Sequence, residues 1–215
     1  MGDYRARSWR ICATSVPECC NAPPVRRGGV STKILEMNYQ RELEFARRMA
    51  VMAGENASRI RAGGVAAETK PDASPVTVAD RENERLLREA IEGEFPEDGI
   101  LGEEGTAKPG TSGRRWILDP IDGTRDFVRG NRFWCVLIAL EAGDETLAGV
   151  AHFPLLEETY WATKGGGSYR NREPLRASAV VSIGACNFSP NGLHLAAADA
   201  HMPRVVELMR RSWAV

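Results

Sequence analysis

Residues 116–127 read WILDPIDGTRDF, in which a strand-like apolar run is followed by two acids, a glycine and a threonine. The apolar run Trp116–Leu118 is typical of a short strand, and it leads directly into Asp119. A second acid, Asp122, follows three residues later and precedes a glycine and a threonine. A plain turn would use the proline and the glycine, but it does not need two carboxylates. The pattern therefore indicates a function for the acids.

The two acids are candidate metal ligands. If the chain turns at Pro120, the carboxylates of Asp119 and Asp122 point to one side with the carbonyl of Ile121 between them. These are hard oxygen ligands, which Mg²⁺ prefers while it keeps water and phosphate at its other positions. The alternative is a turn in which one Asp hydrogen-bonds to the backbone, and the spacing of the acids alone leaves both open.

The next two residues favour a phosphate site beside the metal. Gly123 allows the backbone to approach a ligand closely. If a helix begins at Thr124, the amides of both residues are donors at its positive end, where phosphate binds. Thr124 also adds a hydroxyl next to the carboxylates, although a plain helix cap is the alternative.

The composition is that of an ordinary globular protein, with 215 residues, 43% hydrophobic, 27% charged and a net charge of −1. This balance argues against a nucleic-acid partner, and the absence of a long apolar run argues against a membrane span. The cysteines lack paired metal spacing, so we expect a reduced, cytoplasmic protein. They are Cys12, Cys19, Cys20, Cys135 and Cys186.

Residues 1–36 follow neither hydrophobic period, and we interpret them as a disordered extension. Met37 is a plausible true start, so a mis-called upstream start is the leading explanation, with a transit peptide as the alternative. The predicted domain then covers residues 37–215.

Two helices are predicted before the strands. An alanine-rich stripe spans residues 39–62 at helical spacing. Thr77 is a good N-cap with Asp80 three residues on, and the second helix is broken at Pro96. Residues 202–215 predict a last helix. The predicted strands are 100–105, 116–118, three runs that form an antiparallel meander (133–143, 146–154 and 158–171), and 180–189. The order of elements predicts an α+β fold.

Other polar residues of the chain are ambiguous when taken singly. Glu103 and Glu104 end a strand, where adjacent side chains face opposite ways, so one acid can face the metal while the other binds Arg or Lys. A surface pair is the alternative. Asp80 is equally explained as an acid at a helix N-terminus, and Lys70 as a solvated loop residue.

Three motifs together resemble the inositol monophosphatase family of Mg²⁺-dependent, often lithium-sensitive phosphomonoesterases. They are KPDASPVTVAD (70–80), ILGEEG (100–105) and WILDPIDGTRDF (116–127), and the resemblance covers residues 38–215. It implies a phosphatase with a layered αβαβα sugar-phosphatase-like fold, a small phosphorylated substrate and a homodimer.

The resemblance also implies a ligand set for the cofactor. Glu103, Asp119, the carbonyl of Ile121 and Asp122 would bind two or three Mg²⁺ ions.

Catalytic and substrate roles follow from the same resemblance. Thr124 and Glu103 would orient and deprotonate the attacking water, and Asp80 would support Thr124 or a metal-bound water. Gly123, Thr124 and Asp122 would contact the substrate, with the amides of the first two holding its phosphate.

One departure from the family concerns the end of the chain. The family has a later Trp-Asp motif whose acid binds the second metal, but here Trp213 is followed by Ala214 and Val215. We therefore expect a fold truncated after its N-terminal portion. This departure favours one alternative to a phosphatase, a catalytically inactive member acting as a binding or regulatory protein. A plain divalent-cation-binding module is a further alternative.

The substrate is predicted from the residues after the metal motif. Residues 126–140 are similar to the histidinol-phosphate phosphatase branch, whereas residues 160–171 fit inositol phosphatases as well. Histidinol phosphate is thus the leading substrate, ahead of inositol monophosphate. Arg125 and Asp126 could face a substrate amine or hydroxyl groups, or could be surface charges.

Overall fold

A computed structural model of the protein describes residues 39–70, 75–189 and 201–213. The predicted extension, residues 1–36, lies outside this described part. The helices of the described residues are α1 (Gln40–Ala62), α2 (Val78–Glu94), α3 (Thr124–Arg129) and α4 (Met202–Arg211). Its strands are β1 (Ala67–Thr69), β2 (Pro75–Thr77), β3 (Gly99–Gly102), β4 (Ala107–Lys108), β5 (Arg114–Asp122), β6 (Cys135–Ala142), β7 (Glu145–Phe153), β8 (Glu158–Thr163), β9 (Gly167–Arg170) and β10 (Glu173–Pro174).

Eight of these strands form one sheet in the order β10-β9-β8-β7-β6-β5-β3-β4, while β1 and β2 form a separate antiparallel hairpin. Neighbouring strands of the large sheet run antiparallel, except that β3 runs parallel to β5. Parallel strands need a long connection between them, and β4 and the loop after it lie between β3 and β5 in the chain.

Helices α1 and α2 cover one face of the sheet and form the core with it. The buried alanines of α1 let its backbone approach α2 and strands β6 and β7 closely. Asn83 of α2 is fully buried, and its side chain donates to the carbonyl of Ala53 at 2.9 Å and accepts from Asn56 at 2.8 Å. Small residues and satisfied amides thus allow the two helices to pack closely.

The opposite face of the sheet carries half-buried apolar side chains, among them Ile117, Leu137 and Tyr160. They line a shallow cavity of about 520 Å³, and Asp119 also lines it. An apolar floor therefore lies next to the predicted metal ligands.

Most predicted elements are confirmed. The fold is α+β, the described residues contain one helical layer and one sheet of the predicted αβαβα arrangement, and α1, α2 and the start of α4 lie where the patterns place them. Helix α4 ends at Arg211, before the predicted end at residue 215. Thr77 caps α2 in a capping box, in which its hydroxyl accepts from the amide of Ala79 at 3.1 Å. No helix in the described ranges is long and apolar enough to cross a membrane.

Two strand predictions are wrong. The run 158–171 is not one strand but the hairpin β8–β9, because Gly165 and Gly167 adopt φ of 76° and 86° and let the chain reverse. Residues 180–189 form no strand of the sheet and contain a 3₁₀ turn at Ile183–Ala185. Val181 is 99% exposed, so its β-branched side chain has no sheet surface to pack on.

Burial of His152 predicts that acid destabilises the protein. Its Nδ1 lies 2.9 Å from the hydroxyl of Thr159, and its ring leaves no room for a Cβ atom on Gly54 of α1, which would lie 2.9 Å from its Cδ2. Burial lowers the pKa of His152 below its ordinary value of 6.5, although a backbone hydrogen bond and Glu55 partly oppose this. The unfolded chain then binds a proton that the folded chain does not, so the free energy of unfolding falls as the pH drops below 6.5.

Urea unfolding of the protein and of H152Q at about pH 7.5 and about pH 5.5 measures this effect. We expect the loss of stability between the two values to be smaller in H152Q, because the substitution removes one titrating group. An equal loss in both proteins would contradict the expectation.

Candidate metal and phosphate site

The parallel pairing of β3 with β5 brings the first acids together. Gly102 pairs with Leu118, and the amide of Glu103 donates to the carbonyl of Leu118 at 3.1 Å. Because β3 and β5 run in the same direction, Glu103 and Asp119 are the residues that directly follow the last β3–β5 pair, although Asp119 stays paired with Leu137 of β6. Residues 16 positions apart in the chain thereby become neighbours.

A bulge in β5 turns its two acids to one side. The register with β6 pairs Asp119 with Leu137 and Asp122 with Cys135, so three steps along β5 correspond to two along β6. In a regular strand, residues three apart face opposite sides of the sheet. The extra residue of the bulge removes this difference. The predicted turn at Pro120 is therefore a bulge within a nine-residue strand, and it has the predicted effect on the carboxylates.

Burial and neighbouring carboxylates raise the pKa values of Asp119 and Asp122. Burial raises the pKa of Asp119 far above its ordinary value, and the neighbouring carboxylates of Glu103 and Asp122 raise it further. Its Oδ1 atom is buried without a hydrogen-bond partner. The pKa of Asp122 is also raised, first by desolvation and then by Glu103, although the thiol of Cys135 at 3.8 Å opposes the rise.

Asp80 connects α2 to the loop after β5. Its Oδ2 accepts from the amide of Thr77 at 2.8 Å and from the Thr77 hydroxyl at 2.6 Å, and its Oδ1 accepts from the Thr124 hydroxyl at 3.4 Å. The same Thr124 hydroxyl lies 3.1 Å from the carbonyl of Ile121. Burial raises the pKa of Asp80, and the hydrogen bonds from Thr77 partly offset this. Three predicted site residues thus form one hydrogen-bonded unit.

Gly123 is required for the backbone geometry itself. Helix α3 begins at Thr124, which meets the condition set for a phosphate site, and Gly123 precedes it with φ of 87°. A Cβ atom on Gly123 would lie 2.9 Å from the carbonyl oxygen of Phe133. The glycine is therefore needed because the backbone at residue 123 passes close to the segment that precedes β6.

Lys70 is not a solvated loop residue. Its ammonium lies 2.6 Å from Glu104 and 3.3 Å from Glu103, with only 16% of its side chain exposed. Burial alone would lower the pKa of Lys70, but the hydrogen bond to Glu104 and the charges of both acids raise it above the ordinary value. The adjacent acids share one lysine, and Glu104 binds it more closely. The predicted strand 100–105 ends at Gly102, so both acids lie in the turn after β3 and strand alternation does not account for their directions.

The predicted ligands fit a hard divalent cation by their chemistry. Within the described ranges no three His, Cys, Asp or Glu side chains converge on one point. Glu103 and Asp122 are nevertheless close enough to raise the pKa of Asp119, Glu103 also raises the pKa of Asp122, and one oxygen of Asp119 has no partner. A cation would relieve both conditions, and carboxylate and carbonyl oxygens are what Mg²⁺ prefers.

Three residues near the site were not predicted from the sequence. Lys70 pairs with the two acids, Cys135 contacts Asp122, and Glu84 of α2 binds the turn after β3. Glu84 carries a sequence signal, since it lies four positions after Asp80 and hence on the same face of the helix. Lys70 is the first residue of the motif 70–80.

The two charged residues after the metal motif differ in their surroundings. Asp126 accepts from the side chain of Asn131 at 2.7 Å, and its carbonyl accepts from the amide of the same residue. These bonds hold the end of α3, which gives Asp126 a structural role. Arg125 is exposed, and its predicted contact with substrate stays a prediction.

Comparison with known proteins gives a consistent result. Residues 38–200 match the model of the inositol monophosphatase family. The chain is 46% identical over 117 residues to the histidinol-phosphatase of Chlorobaculum parvum, covering 54% of this chain and 45% of the relative. It is 35% identical over 181 residues to the histidinol-phosphatase of Mycobacterium tuberculosis, covering 81% of this chain and 69% of the relative.

A solved structure agrees with these relatives. The IMPase of Thermotoga maritima superposes with a TM-score of 0.70 at 31% identity, covering 81% of this chain and 66% of that one. The chain thus spans less than half of the Chlorobaculum relative's length and about two thirds of the other two.

The two glycines that flank α3 provide a matched test of the site backbone. Both have a left-handed φ, but a Cβ atom on Gly130 would meet nothing within 4 Å. We expect G130A to cost about 1 kcal/mol of unfolding free energy from the backbone alone, and G123A about 2–4 kcal/mol, because it adds the contact with Phe133. Urea unfolding measures both, and equal costs would show that this contact is relieved without strain.

Proposed function

The chain belongs to the inositol monophosphatase family, and on that premise we propose that it serves Mg²⁺-dependent hydrolysis of small phosphate monoesters. The observation that carries the proposal is the bulge in β5, which turns Asp119 and Asp122 to one side near Glu103. In a regular strand the side chains of the two acids would lie on opposite faces of the sheet. An assembly of mutually repelling carboxylates is costly unless a cation binds it.

Four oxygen donors would hold the metal. They are the carboxylates of Glu103, Asp119 and Asp122 and the carbonyl of Ile121, and the proposal is for two or three Mg²⁺ ions. When bound, Mg²⁺ would offset the charge of the phosphate and lower the pKa of a water molecule. The unpartnered oxygen of Asp119 and the raised pKa values of both aspartates support this assignment.

Thr124 is the residue that orients the attacking water. Its hydroxyl proton can be donated to the carbonyl of Ile121 or to Asp80, at 3.1 and 3.4 Å. The lone pairs of the hydroxyl oxygen are then available to accept a hydrogen bond from water. Glu103 would take a proton from that water, whose oxygen forms a bond to phosphorus while the ester P–O bond breaks and the leaving oxygen gains a proton from a second water molecule.

The substrate contacts follow from the same loop. Gly123, Thr124 and Asp122 are the proposed contacts, with the backbone amides of the first two directed at the phosphate. Asp80 supports the threonine through the hydrogen bond described above.

Histidinol phosphate is the leading substrate. Two relatives named histidinol-phosphatase match the chain at 46% and 35% identity, which supports this choice. Inositol monophosphate is the second candidate, because it gives the family its name. The cytoplasmic location and the homodimer stay predictions.

Phosphate release from a panel of monoesters tests the proposal. We expect Mg²⁺-dependent release that is faster from histidinol phosphate than from inositol 1-phosphate, and no release from D119N or in the presence of a chelator. Faster release from inositol 1-phosphate would make inositol monophosphate the leading substrate in place of histidinol phosphate. Mg²⁺ binding without release from any ester would contradict the proposal and favour the alternative of an inactive binding or regulatory protein.

Thr124 provides a test of the catalytic arrangement. Loss of the hydroxyl in T124A should lower kcat by about 100-fold or more, since it removes a group that orients the water. Mg²⁺ affinity should change little, because the side chain is not among the proposed ligands. T124S retains the hydroxyl and is the matched control. Equal turnover by T124A and T124S would exclude the proposed role.

A further inference from the structure

Glu84 is a buried carboxylate that none of the roles above includes. It lies on α2, one helical turn after Asp80, and is only 2% exposed. Its Oε2 accepts from the amide of Glu104 at 2.7 Å, and its Oε1 accepts from the amide of Thr106 at 2.8 Å. Both carboxylate oxygens therefore hold the backbone of the turn between β3 and β4.

That turn carries Glu103, a proposed metal ligand. A backbone bond of 2.7 Å from Gly102 to Thr106 closes the turn, and Gly105 adopts φ of 108° within it. The Glu103 side chain is 40% exposed and can change its conformation unless its backbone is held. The bonds to Glu84 fix the backbone on the residue directly after it.

Gly102 leaves the space that the Glu84 carboxylate occupies. A Cβ atom on Gly102 would lie 2.3 Å from the carboxylate carbon of Glu84 and 2.4–2.5 Å from its oxygens. Contacts this short are excluded, so any side chain at this position would displace the carboxylate. The turn and the acid fit each other sterically as well as through hydrogen bonds.

Asp80 and Glu84 of α2 each bind a different segment of the site. Like charges four residues apart on a helix repel each other, but each of these carboxylates accepts hydrogen bonds from a different loop. Asp80 holds Thr124, and Glu84 holds the turn of Glu103. One helix thus fixes both sides of the proposed metal site relative to each other.

We propose that Glu84 is a positioning residue that sets the affinity of the site for Mg²⁺ without contacting the metal. It does so by fixing the turn after β3, so that Glu103 stays beside Asp119. The inference rests on the metal site of the proposed function, although it does not require that the site hydrolyse any ester.

Two variants perturb this contact in different ways. E84Q keeps the size of the side chain but presents an NH₂ group to one of the two amides, and G102A keeps the carboxylate but displaces it. The matched control is E89Q, which makes the same change on the exposed face of the same helix.

Mg²⁺ titration calorimetry on the full chain gives the first readout. We expect about 10-fold weaker binding in E84Q and in G102A, as for other residues that orient metal ligands, and no change in E89Q. Hydrogen exchange in the presence of a chelator gives the second, in which the amides of Glu104 and Thr106 should exchange faster in E84Q. If E84Q does not fold, G102A alone decides the question.

The outcomes separate this inference from the proposed function. Unchanged Mg²⁺ affinity in the folded variants, or unchanged exchange of the two amides, overturns the role of Glu84 and leaves the phosphatase proposal intact. Weakened binding in a protein that releases no phosphate supports the role of Glu84 and overturns the phosphatase. A loss of stability without a loss of affinity identifies Glu84 as merely structural.

Discussion

The parallel pairing of β3 with β5 is the constraint on which the rest of the site depends. Antiparallel neighbours would end at opposite edges of the sheet, and Glu103 would then lie a strand length away from Asp119. The register of Gly102 with Leu118 instead places both acids one residue beyond the same rung of the ladder. The bulge in β5 then adds Asp122 to the same side.

Gathering carboxylates at one edge opposes folding, and the structure offsets this cost with neighbours that are not ligands themselves. Lys70 supplies a positive charge to the acids after β3. The thiol of Cys135 faces Asp122, and backbone amides satisfy the two acids of α2. The cost of burying Asp119 is not offset in this way, because one of its buried oxygens has no hydrogen-bond partner. A cation bound there, as proposed, would stabilise the ionised form of Asp119 and relieve this cost.

Much of the fold was predictable because its signals are local. The alanine stripe predicted α1, the Thr77 cap predicted the start of α2, and apolar runs separated by glycine-bearing connections predicted the strands of the meander. The errors have local causes as well. Two glycines split the run 158–171 into a hairpin, and residues 180–189 have strand-like composition but join no strand of the sheet in the part of the chain that the structure describes.

The sequence by itself determined which groups are available for chemistry, since the spacing of the acids, the glycine and the threonine in residues 116–127 already predicts a metal and phosphate site. Only the tertiary structure decided how they meet. The bulge that aligns Asp119 with Asp122 depends on the register with β6, and the contact of Glu84 with the turn after β3 joins residues 20 and 22 positions apart. Such contacts depend on packing between distant elements, which no local pattern encodes.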